Sequence, residues 1–263
     1  MKTMKTPFIP LFLIGLSAIL SCKKDNHSPA VQAVTSTAPK VKSFTSNSLT
    51  YNYSYDSAGR ISRLDNIFGG KTTSWITYTY TDTAVLFGFQ DTSGHPPLIT
   101  VYKLGTEGAA RGRALYSYQQ GYYPNNVTRY VYNSNGQLVT STQTMKTTGA
   151  PDYVQINQYY YSNGTLDSMT RYDTRFGRVY FATYYDSYYT DQQNTVGNDN
   201  FGKSWMGANT GAHPVKQSRL LENNGALISD PYIVTYQYDV SGRIINAVTT
   251  VGTSNAGNIT YTY

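Results

Sequence analysis

A nine-residue unit recurs along this 263-residue chain and restricts the folds that are open to it. The unit reads Y-x-Y-[D/N]-x-x-G-x-[I/L], so two tyrosines, a turn-forming residue, a glycine and an aliphatic residue keep one spacing. Full copies lie at residues 53–61, 130–138 and 236–244, and a copy one residue shorter lies at 159–166. Its first half also occurs at residues 78–80, 116–118 and 261–263. Three full copies at one spacing indicate a repeated element of secondary structure.

Each copy is typical of a β-hairpin. Side chains alternate along a strand, so both tyrosines of Y-x-Y point to one face of the sheet. Asp or Asn opens a turn by bonding the backbone ahead of it, and glycine tolerates the positive φ that closes the turn. The aliphatic residue beyond the glycine then returns to the tyrosine face. Between the copies, short alternating segments rich in Tyr, Thr and Val predict further strands, and no stretch has a helical period.

The copies resemble the YD repeats of bacterial RHS and YD-repeat proteins, whose core reads Y-x-Y-D-x-x-G-R-L. Residues 53–61 and 236–244 match this core closely, whereas residues 130–138 have Asn in place of Asp and Gln in place of Arg. The separations between the turn glycines depart from a regular array. The chain is more similar to envelope lipoproteins of unknown function that carry scattered YD-like hairpins. The resemblance implies a fold and a location, but no activity.

Tyrosine takes the place that aliphatic residues hold in most protein cores. The chain has 27 tyrosines and 9 phenylalanines. A tyrosine buries a large ring, keeps its hydroxyl near water and favours strands. We therefore predict one all-β domain over residues 44–263, a twisted antiparallel meander of tyrosine-rich YD-like hairpins. In one version of this prediction the sheet curls into a partly closed form.

The first 21 residues have the layout of an export signal. Lys2 and Lys5 precede an apolar run at residues 8–20, which is shorter than the roughly 20 residues that span a bilayer. Residues 19–22, Ile-Leu-Ser-Cys, then resemble the lipobox of bacterial lipoproteins. This resemblance implies removal of residues 1–21, lipid attachment to Cys22, and a place in the cell envelope on either face of the outer membrane. Residues 22–43 lack periodicity and predict a flexible tether.

The net charge of +6 does not indicate a nucleic-acid partner, because it is concentrated in the signal and the tether. Six lysines up to residue 42, less Asp25, contribute five of the six positive charges. A nucleic-acid-binding domain instead places its basic residues on a folded face. The partners we expect are the membrane, through the lipid anchor, and either a glycan or an envelope or surface protein.

Residues that carry common chemistry are sparse in this chain. Cys22 is the only cysteine, and the three histidines are too far apart for a local metal motif. The chain has no G-x-S-x-G and no glycine-rich phosphate loop. We therefore predict no catalytic residue, no metal and no cofactor. Asp56 and Asp239 are assigned to turns, but a polysaccharide hydrolase that uses two facing aspartates stays open as an alternative.

Two features are candidate ligand sites. Trp75 and Trp205, with nearby tyrosines, would form an aromatic platform for sugar rings, although packing in the core also accounts for both. Residues 191–210 form the longest polar, glycine-rich stretch. Long irregular segments often carry binding, so this stretch predicts either a functional loop or a plain connection.

These features favour a non-enzymatic, membrane-anchored envelope or cell-surface lipoprotein that binds a glycan or a protein partner. The hydrolase is one alternative. An integral outer-membrane β-barrel is another, suggested by the alternating strands and the aromatic residue Tyr263. The lipidation signal, and strands with too few aliphatic residues to face lipid, argue against that barrel.

Replacing Cys22 by Ala is expected to abolish lipid attachment and to release the chain from the membrane, because the chain has no second thiol. Incorporation of a labelled fatty acid in growing cells measures this. The Ser21→Ala variant keeps a small residue before the cysteine and should stay labelled. A labelled Cys22→Ala chain would contradict the assignment.

Overall fold

The computed structural model describes residues 33, 36–120, 126–146, 149, 151–207, 213–222 and 226–263. The predicted signal peptide and Cys22 lie outside the described residues. Over the described ranges the chain forms strands, with short 3-10 helices at Gly108–Ala110 and Ser204–Met206. The strands are β1 (Ser43–Ser46), β2 (Leu49–Tyr55), β3 (Ile61–Phe68), β4 (Lys71–Tyr80), β5 (Ala84–Asp91), β6 (Leu98–Leu104), β7 (Ala114–Gln119), β8 (Val127–Tyr132), β9 (Leu138–Met145), β10 (Tyr153–Ser162), β11 (Thr165–Asp173), β12 (Arg178–Tyr188), β13 (Val215–Glu222), β14 (Tyr232–Tyr238), β15 (Ile244–Val251) and β16 (Ser254–Thr262).

The sixteen strands form one closed barrel in which neighbours in sequence are neighbours in space. Residues Ser43–Ser46 of β1 pair antiparallel with Ile259–Thr262 of β16 and close the ring. The predicted all-β antiparallel meander is confirmed, and its closure is complete where the sequence suggested a partly closed sheet. Closure also explains the half copy at residues 261–263, because β1, from the other end of the chain, serves as its return strand.

The turns of the repeat have the predicted geometry. The Asp56 carboxylate accepts hydrogen bonds from the backbone N–H of Ala58, at 3.0 Å, and of Arg60, at 2.9 Å. Gly59 has a φ of +70°. Arg60 also forms an ion pair with Asp56 at 2.7 Å, which explains the Arg that follows the turn glycine. In residues 236–244, the backbone N–H and then the guanidinium of Arg243 hold the pKa of the Asp239 carboxyl below its usual range.

The aliphatic residue of each copy returns to the tyrosine face, as predicted. Ile61 and Ile244 are fully buried, and Leu138 is nearly so. Ile61 pairs with Tyr55 in the register of β2 and β3, and Ile244 pairs with Tyr238 in the same way. A register shift next to this pair occurs in all four copies. Such a bulge bends the strand and re-aims a side chain.

The even-numbered strands each send a tyrosine to the inside of the barrel at a similar level. We call these eight residues the tyrosine belt, because the hydroxyls of most successive members are close enough to raise one another's pKa. They are Tyr53, Tyr78, Tyr102, Tyr130, Tyr159, Tyr185, Tyr236 and Tyr261. The sequence missed the copy at residues 102–104, where Leu104 replaces the second tyrosine. The half copy at 116–118 lies on the odd strand β7 and, by its register, faces outward.

Tyrosine hydroxyls also connect each repeat to the preceding one. In six places a tyrosine of an even strand donates to a backbone carbonyl at or near the start of the preceding odd strand. We call these contacts the latch hydrogen bonds. They run from Tyr55 to Val41, Tyr80 to Ile61, Tyr132 to Ala114, Tyr161 to Leu138, Tyr188 to Leu166 and Tyr236 to Val215. They give a carbonyl at the end of the sheet a partner that the strand ladder does not provide.

The barrel begins before the predicted boundary at residue 44. Ser43 already belongs to β1, and Val41 is fully buried. The backbone N–H of Val41 donates to the carbonyl of Asn200 at 3.0 Å. Ala33 is also buried, within the core. The described part of the predicted tether therefore packs against the barrel, and the tether prediction is wrong there. The reason is that Val41, like Ile61 in the first copy, is a fully buried aliphatic residue whose N–H donates to the segment at 191–207.

Replacing Tyr132 by Phe is expected to lower the free energy of unfolding by about 1–2 kcal/mol, because the Ala114 carbonyl loses its latch hydrogen bond. Chemical denaturation of the purified chain measures the change. Tyr116→Phe is the matched control, since the structure gives that hydroxyl no hydrogen bond within the described ranges. Equal losses in both variants would argue against a stabilising role for the latch.

Candidate functional site

The outer face of the barrel is polar. Between the inward tyrosines stand exposed hydroxyl and amide side chains, for example Ser54 on β2 and Thr79 on β4. The last strand, β16, presents Asn258, Thr260 and Thr262 in the same way. Ion pairs such as Arg219 with Asp186, at 2.6 Å, also lie on this side. Exposed aliphatic residues, such as Val131 and Ile233, are interspersed. On the described strands the outer face therefore mixes polar, charged and apolar side chains, whereas a lipid-facing barrel presents a continuous apolar band.

The tyrosine rings that line the interior are for the most part half-buried. Among the belt rings only that of Tyr78 is fully buried, at 7% exposure, and the other rings are half-buried although they point inward. A barrel of sixteen strands is also too wide for its own side chains to fill. Burial, and then the neighbouring tyrosine hydroxyls, raise the pKa of Tyr53 well above its usual range, and raise that of Tyr261 to about 12. These hydroxyls stay neutral at physiological pH, when they both donate and accept hydrogen bonds.

A segment between β12 and β13 packs across one end of the barrel. We call residues 191–207 the plug. Thr195 accepts from the backbone N–H of Ile244, at 2.8 Å, and its carbonyl accepts from the Tyr263 hydroxyl, at 3.0 Å. Farther along, the Gly202 carbonyl accepts from the N–H of Ile61 at 3.2 Å. The plug thus satisfies strand-end groups on separate parts of the ring. The sequence left open whether residues 191–210 were a functional loop or a plain connection; their described part, residues 191–207, packs against the end of the barrel.

Aromatic side chains fasten the plug from inside. The Phe201 ring lies 5.2 Å from that of Tyr53, between ring centroids. Trp205 is 2% exposed, and its ring lies 4.8 Å from that of Tyr102 in an edge-to-face arrangement. Edge-to-face aromatic pairs add about 0.5–1.5 kcal/mol beyond the burial of their surface. The plug is therefore part of the folded core and not a surface excursion.

The plug carries a cation into the interior. The Lys203 ammonium lies 5.8 Å from the centroid of the Tyr78 ring, within the range of a cation–π interaction. Burial lowers the pKa of Lys203. Within the described ranges no carboxylate lies at ion-pair distance from it. Nothing in the sequence except its place in the polar stretch marked this lysine.

The two tryptophans predicted as a ligand platform lie on opposite faces of the barrel wall. Trp205 is buried inside, whereas Trp75, one residue from the inward Ile76, is half-buried on the outer face. The Arg63 guanidinium lies 5.2 Å from the Trp75 ring. A joint platform is therefore wrong for this pair, and core packing accounts for Trp205.

The two aspartates considered for a hydrolase are already paired in the described structure. Asp56 and Asp239, the turn aspartates, are each occupied by their own arginine. A cleft of about 280 Å³ at the plugged end is lined partly by Asp167, Asp186 and His213, but Asp186 is bound to Arg219. Across the described ranges no three His, Cys, Asp or Glu residues are grouped so as to hold a metal ion. No helix there is long and apolar enough to cross a membrane.

Replacing Gly202 by Ala is expected to loosen the plug and to lower the free energy of unfolding by about 1–3 kcal/mol. Its φ is +66°, and an added Cβ would lie 2.6 Å from the backbone nitrogen of Ile61. Denaturation curves and limited proteolysis of the plug measure the effect. Gly257→Ala on β16 is the control, because its Cβ would meet no atom within 4 Å. A Gly202→Ala chain as stable as the control would contradict the tight fit.

Comparison with known proteins extends the description of the fold only. No family model and no curated protein matches the chain. The structure is similar to a porin-like protein from Bacteroides uniformis, with a TM-score of 0.59 and 14% identity over 88% of this chain and 99% of that one. It is also similar to a porin-like protein from Bacteroides vulgatus, with a TM-score of 0.58 and 16% identity over 86% and 98% of the two chains. The chain thus shares a barrel fold with porin-like proteins.

Proposed function

We propose that this chain is a non-enzymatic lipoprotein of the cell envelope whose barrel binds a glycan in its interior. Lipid on Cys22 anchors it, as the lipobox resemblance implies. The interior offers half-buried tyrosine rings and neutral hydroxyls on the inner face of the even-numbered strands. Sugar rings have apolar faces and many hydroxyls, so rings that present both an apolar surface and a polar tip suit them.

One observation carries this proposal, namely the distribution of side chains between the two faces of the wall. Tyrosines of the belt face inward, while threonines such as Thr77 and Thr79 alternate with them and face outward. A barrel with this arrangement has its belt of tyrosine rings inside and many hydroxyl and amide groups outside. That is the arrangement of a binding barrel in an aqueous compartment, where the lipid supplies attachment to the membrane.

An integral outer-membrane barrel is the second candidate. Complete closure into sixteen strands and the likeness to porin-like proteins favour it. A membrane barrel places an apolar band outside and polar residues inside. Strand β2 has the opposite arrangement, with Asn52 and Ser54 exposed opposite the inward Tyr53 and Tyr55. The likeness to porin-like proteins thus favours the membrane barrel, whereas the placement of side chains on strands such as β2 is the argument for the lipid-anchored binding barrel.

The proposal predicts that the mature chain, with Cys22 replaced by Ser, is monodisperse without detergent and binds at least one oligosaccharide in a glycan array. Replacing the belt residue Tyr159 by Ala should weaken that binding about tenfold or more, because a central aromatic contact is lost. Titration calorimetry measures the affinity.

Tyr160→Ala is the matched control, since Tyr160 is the next residue on β10 but is exposed on the outer face. It should leave binding unchanged. A chain that is soluble only in detergent would favour the membrane barrel. Equal losses of affinity in Tyr159→Ala and Tyr160→Ala would contradict a binding site in the interior.

A further inference from the structure

A row of polar side chains crosses the inner face of β9, β10 and β11, at about 4.8 Å from strand to strand. Ser141, Asn157 and Arg171 are direct partners in the strand register, and Phe181 on β12 follows them. The row faces inward, because Ser141 also pairs with the belt residue Tyr130. The hydrogen bonds and ring contacts that fasten the plug involve other strands, so this wall is not sealed by them.

The side chain of Arg171 is held in one orientation within this row. Its Nε donates to the Asn157 Oδ1 at 2.7 Å, and the Asn157 Nδ2 donates in turn to the Ser141 Oγ at 3.0 Å. Its guanidinium carbon lies 4.7 Å from the centroid of the Phe181 ring. These contacts use the Nε edge and one flat face of the guanidinium. The two terminal nitrogens, Nη1 and Nη2, have no hydrogen-bond partner among the described residues.

This arrangement distinguishes Arg171 from arginines that have structural roles. Five arginines elsewhere in the described ranges form ion pairs with aspartates at 2.6–2.7 Å, namely Arg60, Arg63, Arg175, Arg219 and Arg243. Arg171 has no such pair there, although it is half-buried and faces inward. The carboxylate of Asp173, on the same strand and face, is already bound by Arg175 and by the Gln155 amide, at 2.7 and 2.8 Å. A partly buried guanidinium without a counter-charge is costly unless an anion joins it.

We propose that Arg171 binds the carboxylate of an acidic glycan inside the barrel, an inference that rests on the proposed function. A guanidinium whose end is free matches the two oxygens of a carboxylate in a bidentate pair. The amides and hydroxyls of the same row then face the sugar hydroxyls. The ligand class is an oligosaccharide that contains hexuronate residues.

A second inward cation agrees with an acidic ligand. Lys203 of the plug lies over Tyr78 on β4, and Arg171 lies on β11, so the two groups are seven strands apart in a ring of sixteen. They therefore reach the interior from nearly opposite walls. Neither has a carboxylate partner among the described residues, so each offers an anion in the interior a positively charged contact.

The test compares a hexuronate oligosaccharide with a neutral oligosaccharide of equal length, both titrated calorimetrically into the mature chain. Arg171→Gln should raise the dissociation constant for the acidic ligand about tenfold or more and leave the neutral one unchanged. Arg171→Lys keeps the positive charge but loses the two-pronged guanidinium. Its affinity for the acidic ligand should therefore lie between that of the unaltered chain and that of Arg171→Gln. Arg129→Gln is the matched control, because Arg129 is exposed and, by its register, lies on the outer face of β8.

Thermal unfolding of each variant, measured alongside, separates lost binding from lost folding. If Arg171→Gln unfolds early, the comparison of Arg171→Lys with Arg129→Gln decides the question. If both Arg171 variants bind the acidic and the neutral oligosaccharide as tightly as the unaltered chain does, the carboxylate site is overturned. The proposal of glycan binding would then stand without it. Failure of the unaltered chain to bind any glycan in the array would overturn both.

Discussion

The pairing of β1 with β16 is the contact on which the rest of the structure depends. It joins four residues at each end of the described barrel, Ser43–Ser46 and Ile259–Thr262, and so removes both free edges of the sheet. It also brings Tyr261 next to Tyr53, so the tyrosine belt continues across the junction. Val41, just ahead of β1, then takes the buried aliphatic position of the last repeat and bonds the plug.

Tyrosine suits a wide barrel for a geometric reason. Sixteen strands enclose more space than aliphatic side chains can fill, and a tyrosine reaches farther inward while its hydroxyl remains able to bond. In three copies the second tyrosine of Y-x-Y uses that hydroxyl on a neighbouring backbone carbonyl, as Tyr132 does on Ala114, and in the copy at 236–244 the first tyrosine does so. The first tyrosine, as in Tyr159, faces the interior and stays partly accessible. One motif thus supplies both the connection between repeats and the lining of the interior.

The functional proposal depends on which side of the wall is polar. Sharing a barrel fold with porin-like proteins does not determine whether this barrel lies in a membrane or in an aqueous compartment. The residues on the outer face of the strands decide which of the two surroundings a barrel can occupy. Here threonine, serine and amide side chains are among the outward residues, while the tyrosine belt faces in with Lys203 and Arg171, two cations that have no carboxylate partner within the described ranges. Anchoring by lipid on Cys22 and ligand binding in the interior are compatible with that distribution.

The sequence by itself determined the hairpins, since the Asp or Asn, the glycine and the aliphatic residue act within nine residues through local turn geometry. It also predicted the inward tyrosine face, because strand alternation is local. Closure depended on β1 meeting β16 about 200 residues away, and an open and a closed sheet have the same repeat pattern. The plug, the separation of Trp75 from Trp205, and the unpaired guanidinium of Arg171 were likewise decided by tertiary structure, because each depends on which distant groups come into contact.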